Sequence, residues 1–128
     1  LSQGVDWVTN EGVTTEDTIQ WFDAGEEIRA TILGIIAGMA VGESGIRRDQ
    51  PIIGFAEKSE METKVSARGS HRLTAEGLDL SVVMREAAGA VGGDGGGHDV
   101  AAGATIPAGK QEAFIATADE LVCEQLSS

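Results

Sequence analysis

The chain has 128 residues, of which 41% are hydrophobic, and a formal net charge of -12 from 21 acidic and 9 basic side chains. This length supports one domain with a real core, and the hydrophobic content excludes general disorder. The acidic balance argues against broad, nonspecific nucleic-acid binding, which usually shows a basic face, so any nucleic-acid contact has to be local. No apolar run in the sequence is long enough to cross a membrane.

Three features of the sequence indicate the cellular environment of the protein and its relation to a longer chain. Dispersed acidic residues with only three lysines are typical of proteins from salt-loving archaea, although ordinary acidic cytosolic proteins share this balance. The single cysteine, Cys123, gives no disulfide framework, and we expect a reducing cytoplasm. The chain starts at Leu1 without a signal-peptide pattern, which suggests a piece of a longer protein.

The N-terminal third is predicted to contain an irregular start, a helix and a strand. Residues 1–13 are polar and without periodicity. Thr14 is a suitable N-cap for a helix to about Arg29, because acidic residues follow it and apolar residues then recur at helical spacing. Residues 31–37 form a continuous apolar run, the pattern of a fully buried strand.

The middle of the chain predicts two more strands. Residues 52–56 are a second apolar run. In residues 63–69 polar and apolar side chains alternate, which puts Lys64, Ser66 and Arg68 on one face of a third strand. Such alternation most often marks a solvent-facing edge strand. The alternative is a phosphate-binding row, in which Arg68 supplies a planar guanidinium and Ser66 a hydroxyl.

The C-terminal half predicts a helix, a strand and a helix. The first helix runs from Asp79 or Leu80 to Val91, because apolar residues recur at i, i+3, i+4, i+7 and i+11. A small-residue strand over residues 100–107 and a helix over about 110–126 follow. Strands and helices thus interleave, which predicts an α/β fold with a mixed β-sheet of about four to five strands flanked by helices.

The glycine run before residue 100 is the strongest candidate site. Gly95, Gly96 and Gly97 are followed at once by His98 and Asp99. Backbone N–H groups of consecutive glycines can form a concave anion nest, with His98 as a hydrogen-bond donor at its rim. The commoner meaning of such a run is a flexible connection with a solvated histidine.

The context of the glycine run limits what it can be. It is neither a Walker loop nor a dinucleotide fingerprint, because no Gly-Lys-Ser/Thr follows and the run leaves a helix and enters a strand. A helix C-terminus repels anions, so a phosphate here must also be held by side chains from elsewhere. In the following strand, Ala102 and Gly103 have almost no side chain, which lets a ligand approach closely.

These motifs together resemble a known family. Residues 63–69 and 78–91, and above all Gly-Gly-Gly-His-Asp-Val-Ala-Ala-Gly-Ala at residues 95–104, are similar to the DHH-associated substrate-binding domain of the DHH phosphoesterase superfamily. The nearest resemblance is to archaeal RecJ-like single-strand exonucleases, and it covers about residues 28–126. It implies that the domain closes over a cleft that faces a separate catalytic domain, that the glycine–histidine loop grips a phosphate or terminal nucleotide, and that the Ser-x-Arg strand end makes a second phosphate contact.

The resemblance implies a division of the chain and a set of site residues. Residues 1–29 would be an N-terminal segment with a connecting helix, and residues 30–128 the DHH-associated substrate-binding domain. The residues expected to bind substrate or phosphate lie in the glycine run and in the third and fourth strands: Gly95, Gly96, Gly97, His98, Ser66, Arg68, Ala102 and Gly103.

The resemblance also implies that the catalytic half is absent. Members of the family hydrolyse phosphodiesters at a two-manganese centre of an N-terminal domain, with an Asp-His-His motif among its ligands. This chain has no such motif and only two histidines, His71 and His98. We therefore expect no catalytic residue, no metal site, no cofactor and no hydrolysis in this chain alone, and manganese in the missing domain.

The leading hypothesis is a nucleic-acid-binding C-terminal domain of a RecJ-like exonuclease, with single-stranded nucleic acid and its own catalytic domain as partners and no membrane. One alternative is the substrate domain of a phosphodiesterase for short oligonucleotides or cyclic dinucleotides. Another is a module that docks onto replication proteins. A transfer-RNA editing context is a further option, since alanyl-tRNA synthetases carry a related domain, but the acidic surface fits it poorly. In isolation, the exposed docking face would allow a homodimer.

Overall fold

The computed structural model describes residues 1–127 and contains a six-stranded mixed sheet with helices on both faces. The strands are β1 (Thr14–Thr15), β2 (Gln20–Asp23), β3 (Ile52–Glu57), β4 (Glu62–Arg68), β5 (Asp94–Gly97) and β6 (Ala101–Pro107). The helices are α1 (Ser2–Glu11), α2 (Leu33–Ala40), α3 (His71–Ala75), α4 (Leu80–Ala90) and α5 (Gln111–Leu126), with a 3₁₀ turn at Ala30–Ile32. The predicted α/β class is confirmed, with six strands where four to five were expected. Ser128, the last residue of the predicted domain, lies outside the described residues.

The sheet has the strand order β1-β2-β3-β4-β6-β5. Strands β2 and β3 run parallel, and every other neighbouring pair is antiparallel. One face carries a core cluster with α4 and α5 that includes Phe55 and Phe114. The other face carries a smaller cluster with α1 and α2 that includes Phe22 and Ile36. Within residues 1–127, no helix is both long and apolar enough to span a bilayer.

The N-terminal part of the chain differs from its prediction. Residues 2–11 form α1, with Val5 and Val8 buried, where the sequence predicted irregular structure. The helix predicted from Thr14 to Arg29 is wrong, because this stretch contains β1 and β2. β2 pairs with β1 on one side and β3 on the other, and these cross-strand contacts override the local helical spacing. The sheet therefore extends into the segment that the sequence assigned to a connection.

The strand predicted over residues 31–37 is also wrong. This run forms the 3₁₀ turn and most of α2. A short continuous apolar run has the same pattern whether it is a buried strand or a buried helix. The segment is helical because a helix buries one of its faces against the sheet and α1. That face consists of residues at i, i+3, i+4 and i+7: Leu33, Ile36, Ala37 and Ala40.

The predictions for the central strands and later helices are confirmed. β3, β4 and β6 coincide with the predicted strands to within about two residues. In α4, the Asp79 carboxylate accepts a hydrogen bond from the Ser81 backbone N–H at 3.0 Å, as an N-cap should. Leu80, Val83, Met84 and Ala87 of the predicted stripe are buried. In α5, Phe114, Ala118 and Val122 are buried as expected.

The contact between Phe22 and Gly54 gives a test of the α2 side of the sheet. The two residues are cross-strand partners, and a Cβ on Gly54 would lie 2.9 Å from Phe22 Cε2 and 3.0 Å from Cε1. We expect Gly54→Ala to lower the free energy of unfolding by about 2 kcal/mol through overpacking. Urea unfolding measures this loss. The control Gly42→Ala, where a Cβ meets nothing within 4 Å, should change it by less than about 0.5 kcal/mol.

Candidate functional site

One face of strands β6 and β5 remains uncovered, and α2 partly covers the adjoining face of β4, where Ser66 is buried. Along β6, Ala102, Ala104 and Ile106 are buried under α4 and α5, whereas the alternate residues are only partly buried. Directly paired residues share a face, so the sheet register identifies the remaining members of the uncovered side. We call this surface the open face; it consists of Asp94 and Gly96 on β5, Ala101, Gly103 and Thr105 on β6, and Lys64, Ser66 and Arg68 on β4, of which Ser66 is buried against Gly34 of α2.

The glycine run forms an edge strand and not the predicted concave nest. Gly95, Gly96 and Gly97 lie in β5, which pairs antiparallel with β6. Of these three, only Gly97 has a positive φ, 139°. The β5–β6 hairpin is closed by the His98 N–H, which donates to the Ala101 carbonyl at 2.8 Å. Because β6 and α4 hold this glycine-rich segment from two sides, it is extended despite its weak strand propensity.

Packing explains why three of the four glycines at positions 95, 96, 97 and 103 have no side chain, but it does not explain the fourth. A Cβ on Gly95 would collide with the Met84 backbone carbonyl of α4, and one on Gly97 would come 2.9 Å from the Ala102 Cβ. A Cβ on Gly103 would lie 2.9 Å from the Val65 carbonyl oxygen. By contrast, a Cβ on Gly96 would meet nothing within 4 Å. Packing therefore requires the other three glycines but not Gly96, which leaves free space on the open face.

Arg68 lies between β4 and α2, where it is half-buried. Its Nη1 donates to the Ala67 carbonyl at 2.8 Å and to the Ala102 carbonyl at 3.4 Å. The side chain fits beside α2 because Gly34 is small: a Cβ there would lie 3.2 Å from Arg68 Cζ and 3.4 Å from Ser66 Oγ. Burial lowers the pKa of the Arg68 guanidinium below its ordinary value.

Among the residues that the structure describes, Arg68 forms no ion pair. Across residues 1–127, the ion pairs within 4.0 Å are Arg47–Asp49 and Arg72–Glu76. Within these residues Arg68 thus has no carboxylate within 4.0 Å, although the sequence has 21 acidic residues. A half-buried cation beside a serine hydroxyl and a glycine row is suited to an anion that comes from outside the chain.

His98 stands at one end of the open face. The His98 side chain is exposed. Its backbone N–H donates to the Ala101 carbonyl, and Ala101 pairs with Arg68, so the three residues form one row across the sheet. Two strand spacings, about 10 Å, separate the His98 and Arg68 backbones. The hairpin turn is fixed by two backbone bonds: the Asp99 carbonyl accepts from the Leu80 N–H at 2.8 Å, and the Val100 carbonyl accepts from the Gly69 N–H at 2.9 Å.

The structure brings together part of the predicted site. Ser66, Arg68, Gly96 and Gly103 share the open face, with His98 at its end. Ala102 is buried on the opposite face, and Gly95 and Gly97 alternate toward that side, so these three offer only backbone to a ligand. Among the described residues, no three His, Cys, Asp or Glu side chains lie close enough together to hold a metal ion.

Three polar residues of the open face, Asp94, Lys64 and Thr105, were not in the predicted site. Lys64 had a signal in the sequence, because it alternates with Ser66 and Arg68 along the same strand. Thr105 had none, since its position beside Lys64 depends on the register between β6 and β4. Lys64 and Thr105 are partly buried.

Comparison with known proteins places this geometry in a family. Residues 14–124 match the DHHA1 domain, and the chain belongs to this family, a domain of the DHH phosphoesterase superfamily. An uncharacterised protein of Methanocaldococcus jannaschii is 42% identical over 95 residues, which are 74% of this chain and 20% of the relative. The chain therefore spans about a fifth of the length of that relative.

Solved structures share the fold. The C-Ala domain of Aquifex aeolicus alanyl-tRNA synthetase has a TM-score of 0.63 at 18% identity, with 91% of this chain and 98% of that chain covered. A pGpG-specific phosphodiesterase from Vibrio cholerae has a TM-score of 0.59 at 11% identity, with 94% and 38% covered. A DHH-domain member of the s1p family of ribosomal proteins has a TM-score of 0.59 at 20% identity, with 94% and 30% covered.

The unequal packing of neighbouring glycines predicts unequal effects on stability. Gly95→Ala should lower the free energy of unfolding by about 2 kcal/mol, because its Cβ collides with the α4 backbone. Gly96→Ala should leave the free energy of unfolding unchanged or raise it slightly. Alanine reduces the conformational entropy of the unfolded chain, which stabilises the fold by about 0.4–1 kcal/mol where the backbone allows it. Denaturant unfolding of the two variants checks the difference. Equal losses at both positions would mean that the open face is occupied by this chain itself.

Proposed function

We propose that this chain is the substrate-binding domain of a RecJ-like nuclease of the DHH superfamily, and that its open face binds a phosphate of single-stranded nucleic acid. One observation carries the proposal. Within residues 1–127, Arg68 is half-buried with no carboxylate within 4.0 Å, and it lies beside the buried Ser66 hydroxyl on a face where Gly96 leaves free space.

The chemistry of the open face supports a phosphodiester ligand. A guanidinium presents a planar set of N–H donors that matches two phosphate oxygens, and partial burial weakens the competition from water. An anion beside Arg68 would offset the desolvation that lowers the pKa of its guanidinium. The Ser66 hydroxyl is buried beside the guanidinium, where it can support the orientation of Arg68, and His98 adds a donor at the end of the face. Together these residues form a local phosphate grip within a surface that is otherwise acidic.

The remainder of the enzyme would lie outside this chain. The relative and two of the solved structures are several times longer than the matched region, which supports a multidomain parent protein. We propose that an N-terminal catalytic domain with manganese faces the open face across a cleft. The substrate-binding part would be residues 30–128 together with the segment 1–29, which supplies β1 and β2 of the sheet. This chain alone would bind without hydrolysis. The dispersed acidic residues support a protein of a salt-loving archaeon, and the single Cys123 supports a reducing cytoplasm.

A phosphodiesterase for short oligonucleotides is the second candidate. The open face is three strands wide, about 10 Å between the outer backbones. Such a surface suits a ligand of one or a few nucleotides as well as the end of a longer strand. Affinity that stops rising beyond two nucleotides would favour this candidate over a RecJ-like nuclease.

Loss of the Arg68 guanidinium should weaken binding of a phosphorylated single strand. For Arg68→Ala we expect the Kd of a 5′-phosphorylated tetranucleotide to rise roughly 10- to 100-fold. This rise corresponds to the binding free energy that one charge-assisted hydrogen-bonding group contributes. Arg68→Lys should recover part of the loss, since it keeps the charge but not the planar fork. Isothermal titration calorimetry in concentrated KCl measures the three affinities.

Arg85→Ala is the matched control for this titration. Arg85 is an exposed residue of α4, on the opposite side of the sheet, and its loss changes the net charge by the same amount. We expect its Kd to stay within about twofold of wild type, because exposed distant charges are screened in concentrated salt. The proposal fails if Arg68→Ala, folded by circular dichroism, binds as tightly as the control.

A further inference from the structure

Helix α2 has two glycines on the side that faces β4. Gly34 and Gly38 stand at i and i+4, so they lie on the same face of the helix. Glycine is a poor helix former, and α2 has only eight residues, so both glycines weaken it. Core packing does not account for them, because the buried residues of α2 are Leu33, Ile36, Ala37 and Ala40.

Both glycines make room for the side chain of Arg68. For a Cβ on Gly38, the three nearest atoms would be Cγ, Cδ and Nε of Arg68, all at 3.9 Å. A Cβ on Gly34 would collide with Arg68 Nη2 and would lie 3.2 Å from Arg68 Cζ and 3.4 Å from Ser66 Oγ. The aliphatic part of Arg68 therefore lies along Gly38, and its guanidinium lies against Gly34. We call the space that these two glycines leave the α2 slot.

The α2 slot leaves one edge of the guanidinium free. Within residues 1–127, the hydrogen bonds of this side chain are both made by Nη1, to the carbonyls of Ala67 and Ala102. Nε and Nη2 have no partner in this part of the chain, and both reach solvent, because the one unpartnered buried side-chain nitrogen or oxygen there is Gln50 Oε1. Nε–H and Nη2–H are parallel donors, an arrangement that binds two oxygens of an oxyanion side by side.

We propose that Gly34 is a positioning residue for Arg68: because it has no side chain, α2 can hold the guanidinium in one orientation with the Nε–Nη2 edge open to an oxyanion. This inference rests on the proposed function, because it assumes that Arg68 contacts the phosphate. Gly34 acts through Arg68 and needs no contact with the ligand. An arginine that is already oriented loses less conformational entropy when the ligand binds.

Replacement of Gly34 by alanine should move the guanidinium and leave the fold intact. The atom that the new Cβ would meet is the end of a flexible side chain, so Arg68 can change rotamer while the backbone stays in place. Alanine also favours the helical state of α2. We therefore expect the urea midpoint of Gly34→Ala to be no lower than that of wild type. Binding should weaken all the same, because the displaced guanidinium loses its Nη1 hydrogen bonds and its orientation.

Isothermal titration calorimetry with a 5′-phosphorylated tetranucleotide in concentrated KCl measures this effect. We expect Gly34→Ala to raise the Kd roughly 5- to 30-fold, part of the contribution of one charge-assisted hydrogen-bonding group. Gly38→Ala is the matched control in the same helix: its Cβ makes ordinary contacts at 3.9 Å, so the Kd should stay within about twofold. The double variant Gly34→Ala/Arg68→Ala should bind no more weakly than Arg68→Ala, because no guanidinium remains to be positioned.

The mobility of the arginines tests the same idea without any substitution. Heteronuclear NMR relaxation gives an order parameter for each arginine Nε–H. In the free wild-type chain, we expect a value of about 0.8 or higher for Arg68, close to that of rigid backbone, and below about 0.6 for the exposed Arg85. In Gly34→Ala, the Arg68 value should fall toward that of Arg85.

The outcomes separate this inference from the proposed function. If Arg68→Ala weakens binding but Gly34→Ala does not, or if Gly38→Ala weakens it as much as Gly34→Ala, the positioning role is overturned and the phosphate contact at Arg68 stands. A wild-type Arg68 Nε–H as mobile as that of Arg85, or a further loss when Gly34→Ala is added to Arg68→Ala, also overturns it. If Arg68→Ala itself binds like wild type, the proposed function fails and this inference falls with it.

Discussion

The pairing of β6 between β4 and β5 is the constraint on which the site depends. It puts Ser66, Gly103 and Gly96 in one row across three strands, and it puts Arg68 in the next row with Ala101. A shift of this register by one residue would turn the buried Ala102, Ala104 and Ile106 of β6 outward and bury Thr105. The open face is therefore a product of sheet register, and no single loop creates it.

Helix α4 completes this constraint from the other side. It approaches β5 so closely that the Met84 carbonyl occupies the space of a side chain on Gly95. This contact holds a strand of aspartate and three glycines that would otherwise have little reason to be extended. The Leu80 N–H then fixes the turn beside His98 through the Asp99 carbonyl. The glycine-rich motif is thus an edge strand that α4 holds on one side, with its other side on the open face.

The sequence predicted the elements whose signals are local. The β4 alternation placed Ser66 and Arg68 on one face, and the apolar stripe and cap of α4 were both correct. The helix predicted from Thr14 was wrong because β2 is stabilised by its pairing with β3, and local sequence patterns give no information about that pairing. The strand expected over residues 31–37 failed because an apolar run has no period to distinguish strand from helix.

The same distinction applies to the site. Arg68 and Gly96 could be named from sequence because they belong to a strand pattern and a motif. That Gly96 faces free space while Gly95 faces a helix backbone required the packing of α4. Thr105 lies beside Lys64 only through the β6 register, so its place on the open face had no counterpart in sequence spacing.

The most direct test of the account is a map of where a phosphorylated dinucleotide contacts the chain in solution. Backbone amide and arginine Nε–H signals would be followed by heteronuclear NMR during titration in concentrated KCl. The account predicts that the largest shifts occur at the Arg68 Nε–H and at the amides of Gly96, His98 and Gly103. Shifts confined to α4 and α5 on the opposite side of the sheet, or no shift at Arg68 on saturation, would contradict it.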